Sequence, residues 1–148
     1  MYTKLGLFIG GKWIYEAKKG EDVLNPFDES VIGWLPHATK EDLNDAIKSS
    51  EKGFDEWSNT DPEARSKVIL KAADILSKKI SMISEVMTLE QGKPLAESAG
   101  EINQSIAILK FNGEKAKLIK EEVVADRDNG LKTSIKPQPL GAVSYTHL

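Results

Sequence analysis

The sequence predicts an α/β protein, and three observations carry that expectation. Short strand signals occupy Leu7 to Pro36, four amphipathic helical stretches follow between about Thr39 and Ile119, and strand signals return from Val123 onward. Apolar residues make up 40% of the 148-residue chain, enough for a sizeable core in one compact domain. No internal repeat or low-complexity tract breaks that order.

The first element is a hairpin. Leu7-Phe8-Ile9-Gly10-Gly11-Lys12-Trp13-Ile14 places two short strands around a Gly-Gly turn. The same residues satisfy the first seven positions of a phosphate-binding loop, from Gly6 to Lys12. The eighth, which should be Ser or Thr to hold magnesium, is Trp13. No strand precedes that loop and no helix follows it, so the hairpin is the expected structure. Asn25-Pro26-Phe27-Asp28-Glu29-Ser30 is turn chemistry, and Val31 to Leu35 is a short apolar strand ended by Pro36.

Helix signals follow. Thr39-Lys40-Glu41-Asp42 resembles a capping box with Asp as its acidic member. Behind it Leu43, Ala46, Ile47, Phe54 and Trp57 form one apolar stripe. Asp61-Pro62-Glu63 starts a second helix: Asp61 accepts from orphan amides, Pro62 needs no donor, and Glu63 complements the dipole. Ile69, Ala72, Ala73, Leu76 and Ile80 are its expected buried face. A third helix is expected from about Ser81 to Glu90, stopping near Gly92 and Pro94, and a fourth from about Ala96 to Ile119. Ile102, Ile106, Leu109 and Gly113 lie on one side of the fourth. Val123-Val124 and Lys132 to Lys136 then read as strands separated by the polar turn Asp126-Arg127-Asp128-Asn129-Gly130. In the second, Lys132, Ser134 and Lys136 alternate with Thr133, Ile135 and Pro137, which suits a strand with one wet face.

Composition removes several function classes. Twenty Lys and Arg against 23 Asp and Glu give a net charge of -3, without the basic excess that nucleic acid binding requires. No apolar run approaches the ~20 residues that span a bilayer, and the N-terminus lacks a signal-peptide pattern, so a soluble cytoplasmic protein is expected. There is no cysteine, hence no thiolate nucleophile and no thiolate metal site in these residues. His37 sits between Pro36 and a helix start, where a lone histidine is expected to be a surface turn residue. Glu97 and Glu101 share a helix face near Lys93 and Gln104, which reads as a solvated face rather than an acid/base pair. The run from Lys115 to Glu122 reads as a wet helix end. Glu90 is placed against a local rule, because its charge meets the negative pole of a helix C-terminus. A carboxylate there can hold a cation beside helix carbonyls.

Thr88-Leu89-Glu90-Gln91-Gly92-Lys93-Pro94, with Glu97 and Gly100-Glu101, resembles the helix–turn–helix found early in aldehyde dehydrogenases. Phe8-Ile9-Gly10-Gly11-Lys12-Trp13 looks like that family's opening hairpin, and Asn25-Pro26 with Glu29 and Ile32-Gly33 like its next turn and strand. Trp57, Arg65 and Leu70 fall on its W…R…L pattern, and Lys136-Pro137-Gln138-Pro139-Leu140-Gly141-Ala142-Val143 resembles the strand entry to the cofactor core. The resemblance covers residues 7 to 143, and the joint order of the landmarks is its specific part.

The resemblance implies helices of a Rossmann-like NAD(P) domain, strands near 123–124 and 132–136 belonging to an oligomerisation arm, and a homo-oligomeric whole enzyme. It implies that Glu90, with backbone oxygens near Val23 and Leu24, binds a monovalent cation, with Glu standing where some members have Asp. It places Gln104 or its neighbours along the substrate tunnel. The family's catalytic cysteine, its oxyanion-hole Asn and its general-base Glu have no counterpart here, so no catalytic and no cofactor-binding residue is assigned in this chain. The expected domain is 1–143, followed by Ser144 to Leu148, a departure from the family pattern read as a non-native tail in which His147 carries no function. The implied whole protein oxidises an aldehyde to a carboxylic acid with NAD or NADP, with a leaning toward succinate semialdehyde, and the isolated chain is expected to be inactive. The alternative is a stand-alone, non-catalytic binding or oligomerisation module built from the same segment.

Overall fold

A computed structural model describes residues 4–126 and 132–145, with the backbone alone for 125 and 126. The turn expected at 127–130 and His147 lie outside the described residues. Strands β1 (Leu7–Ile9) and β2 (Lys12–Ile14) form an antiparallel hairpin in which Phe8 faces Trp13. Gly10 and Gly11 both have positive φ, 57° and 78°, as a two-residue turn matched to strand twist requires. The rings of Phe8 and Trp13 lie 5.0 Å apart, and Trp13 stacks on Tyr15 at 5.9 Å. With a hairpin here, the phosphate-loop pattern has no helix to cap.

A second antiparallel pair joins β3 (Gly20–Leu24) and β4 (Val31–Pro36), with a register shift between Val23 and Leu24. Local signals do not mark β3, because Gly20, Glu21 and Asp22 are poor strand formers. Its pairing with the apolar β4 defines it.

The helices follow their caps. In α1 (Lys40–Ser58) Thr39 accepts from the Asp42 N–H at 3.1 Å while Asp42 accepts from the Thr39 N–H at 2.8 Å. In α2 (Pro62–Ser77) Asp61 accepts from the N–H groups of Glu63 and Ala64. Helix α3 (Ile80–Gln91) and α4 (Leu95–Ala116) complete the set. The fourth stops short of Ile119, closed by Lys117, whose ammonium is held by Glu114 at 2.8 Å.

The core lies where α2, α3 and α4 meet: Ala73, Ile102 and Ile106 are buried, with Leu76, Ile80, Ile83, Met87 and Leu109 packed on them. Fully burying each isoleucine stabilises the unit by about 1.5–3 kcal/mol. Two expectations for α2 change. Ala72 is exposed, because the buried line runs through Ser66, Ala73 and Leu76 and Ala72 stands one residue off it. Ile80 belongs to α3, since the chain turns at Lys78 and Lys79. The α4 side through Ile102, Ile106 and Gly113 is buried as expected. The stripe on α1 is not fully covered: Leu43, Ile47 and Trp57 remain exposed.

Strands β5 (Glu122–Asp126) and β6 (Lys132–Ile135) form the third antiparallel pair. The one wet face expected of β6 is not seen, because Lys132 to Ile135 are all exposed and the hairpin has no layer against it among the described residues. Two short hairpins, four helices and a last hairpin thus follow one another in the order expected of this α/β chain.

Candidate functional site

The turn joining α3 to α4 gathers most of the chemistry singled out in the sequence. Helix α3 ends because Gly92 adopts φ 70°, with its N–H donating to the Thr88 carbonyl at 2.9 Å. Pro94, with φ -58° and ψ 142°, then starts α4 and offers no N–H to the carbonyls behind it. Two side-chain links cross the turn. Thr88 Oγ1 and Ser98 Oγ share a hydrogen bond of 2.9 Å, and Lys93 Nζ donates to Glu101 Oε1 at 2.6 Å.

A second turn, Asn25 to Ser30, is closed by its own backbone. Asn25 N–H donates to the Ser30 carbonyl at 2.9 Å and Glu29 N–H to the Asn25 carbonyl at 2.8 Å. Asp28 Oδ1 accepts from the Ser30 hydroxyl and N–H, and these bonds, the hydroxyl's foremost, hold its carboxyl below the usual carboxylate range.

The two turns touch. A Cβ placed on Gly92 would lie 2.9 Å from Pro26 Cγ, so glycine is required there by space as well as by φ. The end of α3, which carries Glu90, is thereby set against the turn that leaves β3 just after Val23 and Leu24. Those two residues flank the register shift of the β3–β4 ladder, Val23 half-buried and Leu24 exposed, and Glu90 is exposed on the last helical turn. Among the described residues no three His, Asp or Glu side chains cluster to hold a metal. A cation at this junction would rest on one carboxylate and on carbonyl oxygens, a donor set suited to a hard ion.

The other sequence candidates fall elsewhere. Gln104 is exposed on α4 and lines neither of the two grooves described below. His37 lies on the surface, its Nε2 3.7 Å from Glu21 Oε1. Glu101 is engaged by Lys93, which removes the acid/base reading of Glu97 and Glu101. Sequence spacing set Lys93 against Glu97 on one helix; it did not reveal the Lys93–Glu101 pair, because the turn at Gly92 brings the lysine back along α4.

Two grooves flank α1. One, of about 640 Å³, lies between its apolar stripe, including Leu43, Ile47 and Phe54, and the extended segment Leu140 to Tyr145. The other, of about 530 Å³, lies between Trp57, Arg65 and Lys136 to Pro139. Arg65 donates to the Thr60 carbonyl at 2.6 Å and so fastens the α1–α2 connection.

A model of the aldehyde dehydrogenase family matches residues 13–146. Malonate-semialdehyde dehydrogenase of Bacillus pumilus is 29% identical over 137 residues, 92% of this chain and 28% of that protein. The crystal structure of an aldehyde dehydrogenase from Brucella melitensis biovar abortus 2308 superposes with a TM-score of 0.79 at 30% identity, covering 86% of this chain and 26% of that one. A point mutant of betaine aldehyde dehydrogenase from Staphylococcus aureus, in complex with NAD+, superposes at 0.76 with 26% identity, over 82% and 25% of the two chains. The chain thus spans little more than a quarter of the length of these relatives.

Proposed function

We propose, from the premise that this chain belongs to the aldehyde dehydrogenase family, that it supplies the structural N-terminal segment of an NAD(P)-dependent enzyme oxidising an aldehyde to a carboxylic acid. The observation that carries the reading is the family match over residues 13–146 in a sequence with no cysteine. Nucleophilic attack on an aldehyde in this family uses a thiolate, and these residues have none to offer. The cofactor supplies the hydride acceptor, and we assign it no contact in this chain. What these residues contribute is a packed helical unit, a hairpin arm for subunit association (β5–β6), and the junction of Glu90 with Val23 and Leu24 for a monovalent cation.

A semialdehyde is the substrate class we favour. The Bacillus pumilus relative acts on one by name, and the sequence leans toward succinate semialdehyde, which like malonate semialdehyde carries a carboxylate at its far end. We place Gln104 toward the substrate tunnel of the whole enzyme and the enzyme in the cytoplasm; no helix among the described residues is long and apolar enough to cross a membrane.

The test is aldehyde-dependent NAD(P)H formation by the purified 148-residue chain. We expect none above the rate without protein, and sustained turnover would overturn the reading.

A further inference from the structure

The groove beside the α1–α2 connection is locally positive on a molecule that is negative overall. Its walls hold Arg65, Lys120 and Lys136 against one carboxylate, Glu121, in a chain of net charge -3. The fold brings these groups together from separate places. Pairing of Glu122 with Ile135 sets Lys120, Glu121 and Lys136 at the open end of the β5–β6 hairpin, while Arg65 stands near the start of α2. Among the described residues none of the three cations is in an ion pair, and Glu121 accepts from the Ser134 hydroxyl at 2.5 Å. Arg65 is half-buried, and both of its side-chain hydrogen bonds run from Nη1, to the Thr60 carbonyl at 2.6 Å and the Trp57 carbonyl at 3.5 Å. Its Nε and Nη2 donors have no partner among the described residues. A guanidinium fixed through one nitrogen, with its other donors open, is a preorganised receiver for an anion.

We infer that this groove binds a small organic dianion, a phosphate monoester with a flat apolar body: the phosphoryl group lies among Arg65, Lys120 and Lys136, and the body rests on Trp57 and Ile119. Its volume of about 530 Å³ suits one such molecule. Charge selects the head group. Three cations and one carboxylate leave two positive charges, and a phosphate monoester carries close to two negative ones at pH 7. Bringing that anion between unpaired cations also relieves their mutual repulsion. Apolar surface selects the body. Trp57 is 43% exposed and Ile119 56% exposed, and Pro137 and Pro139 form a wall whose φ angles are fixed by their rings. A flat ring therefore finds an indole to pack against without ordering new chain. A bare inorganic ion would leave that surface wet.

The experiment titrates phenyl phosphate into the full 148-residue chain by isothermal calorimetry at low ionic strength. Inorganic phosphate and benzyl alcohol probe the head and the body alone. Phenyl phosphate is expected to bind about tenfold more tightly than either, and more weakly as sodium chloride is added, because exposed charges are screened. Lys120→Gln and Lys136→Gln should each weaken it by about two- to fivefold, and Lys120→Glu with Lys136→Glu should abolish it. Both lysines are exposed and unpaired among the described residues, so these variants keep the fold, as an unchanged circular dichroism spectrum checks. Lys48→Gln, which removes the same charge from an α1 residue that does not line this groove, should leave the affinity unchanged. Trp57→Leu should bring phenyl phosphate down to the affinity of inorganic phosphate. No binding heat up to about 10 mM phenyl phosphate would overturn the assignment. So would an affinity no better than that of inorganic phosphate, or lysine variants that bind as tightly as the unmodified chain.

Discussion

At the scale of single residues, the departures from local rules are informative in different ways. Ser66 is fully buried at the α2–α4 interface, and among the described residues its hydroxyl has no hydrogen-bond partner. An unmet buried hydroxyl costs free energy that a methyl group would not. Ser66→Ala is therefore expected to raise stability, by about 1 kcal/mol, read from the urea midpoint at constant slope; a lower midpoint would mean that the hydroxyl is satisfied in solution. Gly113 shows the opposite constraint on the same interface. A Cβ there would lie 2.9 Å from Leu70 Cδ2, so the close approach of α4 to α2 depends on its absence. Neither constraint is visible in sequence. A serine at helical spacing reads as a wet residue until the neighbouring helix is in place.

Among the elements, caps were the most legible feature. Thr39 with Asp42, Asp61 with Pro62, and Gly92 before Pro94 each encode a helix end within four residues, so the signal survives without knowledge of the fold. Strand β3 was not legible, because its reason lies in the partner strand. The β5–β6 pair was found, but its wet face was not a reliable inference: alternation reports burial only when something covers one side. Glu90, Val23 and Leu24 could be named from motif order, yet the Gly92–Pro26 approach and the Lys93–Glu101 pair appear only when the turns are folded. The cap of α1 also sets a pH response. Hydrogen bonds from Thr39, the backbone N–H first and the hydroxyl second, hold Asp42 below its ordinary 3.8. The folded value is depressed, so the stabilisation is complete above pH ~3.8 and is lost as pH falls through the folded value. Asp42→Asn should flatten that part of the acid unfolding curve followed by circular dichroism, and an unchanged acid limb would show that the cap carries no such linkage.

For the whole molecule, the balance between core and exposed apolar surface decides how these 148 residues behave by themselves. The buried centre is confined to α2, α3 and α4, while Leu43 and Ile47 on α1, Val123 and Ile135 on the hairpin, and Leu140 and Val143 near the end are exposed. Apolar residues gathered along one groove, as Leu43, Ile47, Leu140 and Val143 are, bind other surfaces or hydrophobic probes, and a two-stranded hairpin is marginal without a covering layer. The purified chain is expected to enhance the fluorescence of a hydrophobic dye and to sediment as a mixture of associating species. A monodisperse chain with no dye response would instead favour a self-sufficient module.

The α2–α3–α4 unit has a further consequence, for the order of events during synthesis. Its helices are consecutive in the chain and are joined by short turns, and the crossing links Thr88–Ser98 and Lys93–Glu101 span ten and eight residues. Contacts so local close small loops at little entropic cost and form quickly. Once residue 116 has left the ribosome, this unit has all its own packing partners, whereas the strap from Leu140 reaches Phe54 only by closing a loop across it. The helical unit is thus the natural nucleus, and the two grooves beside α1 are assembled last, on a platform already in place.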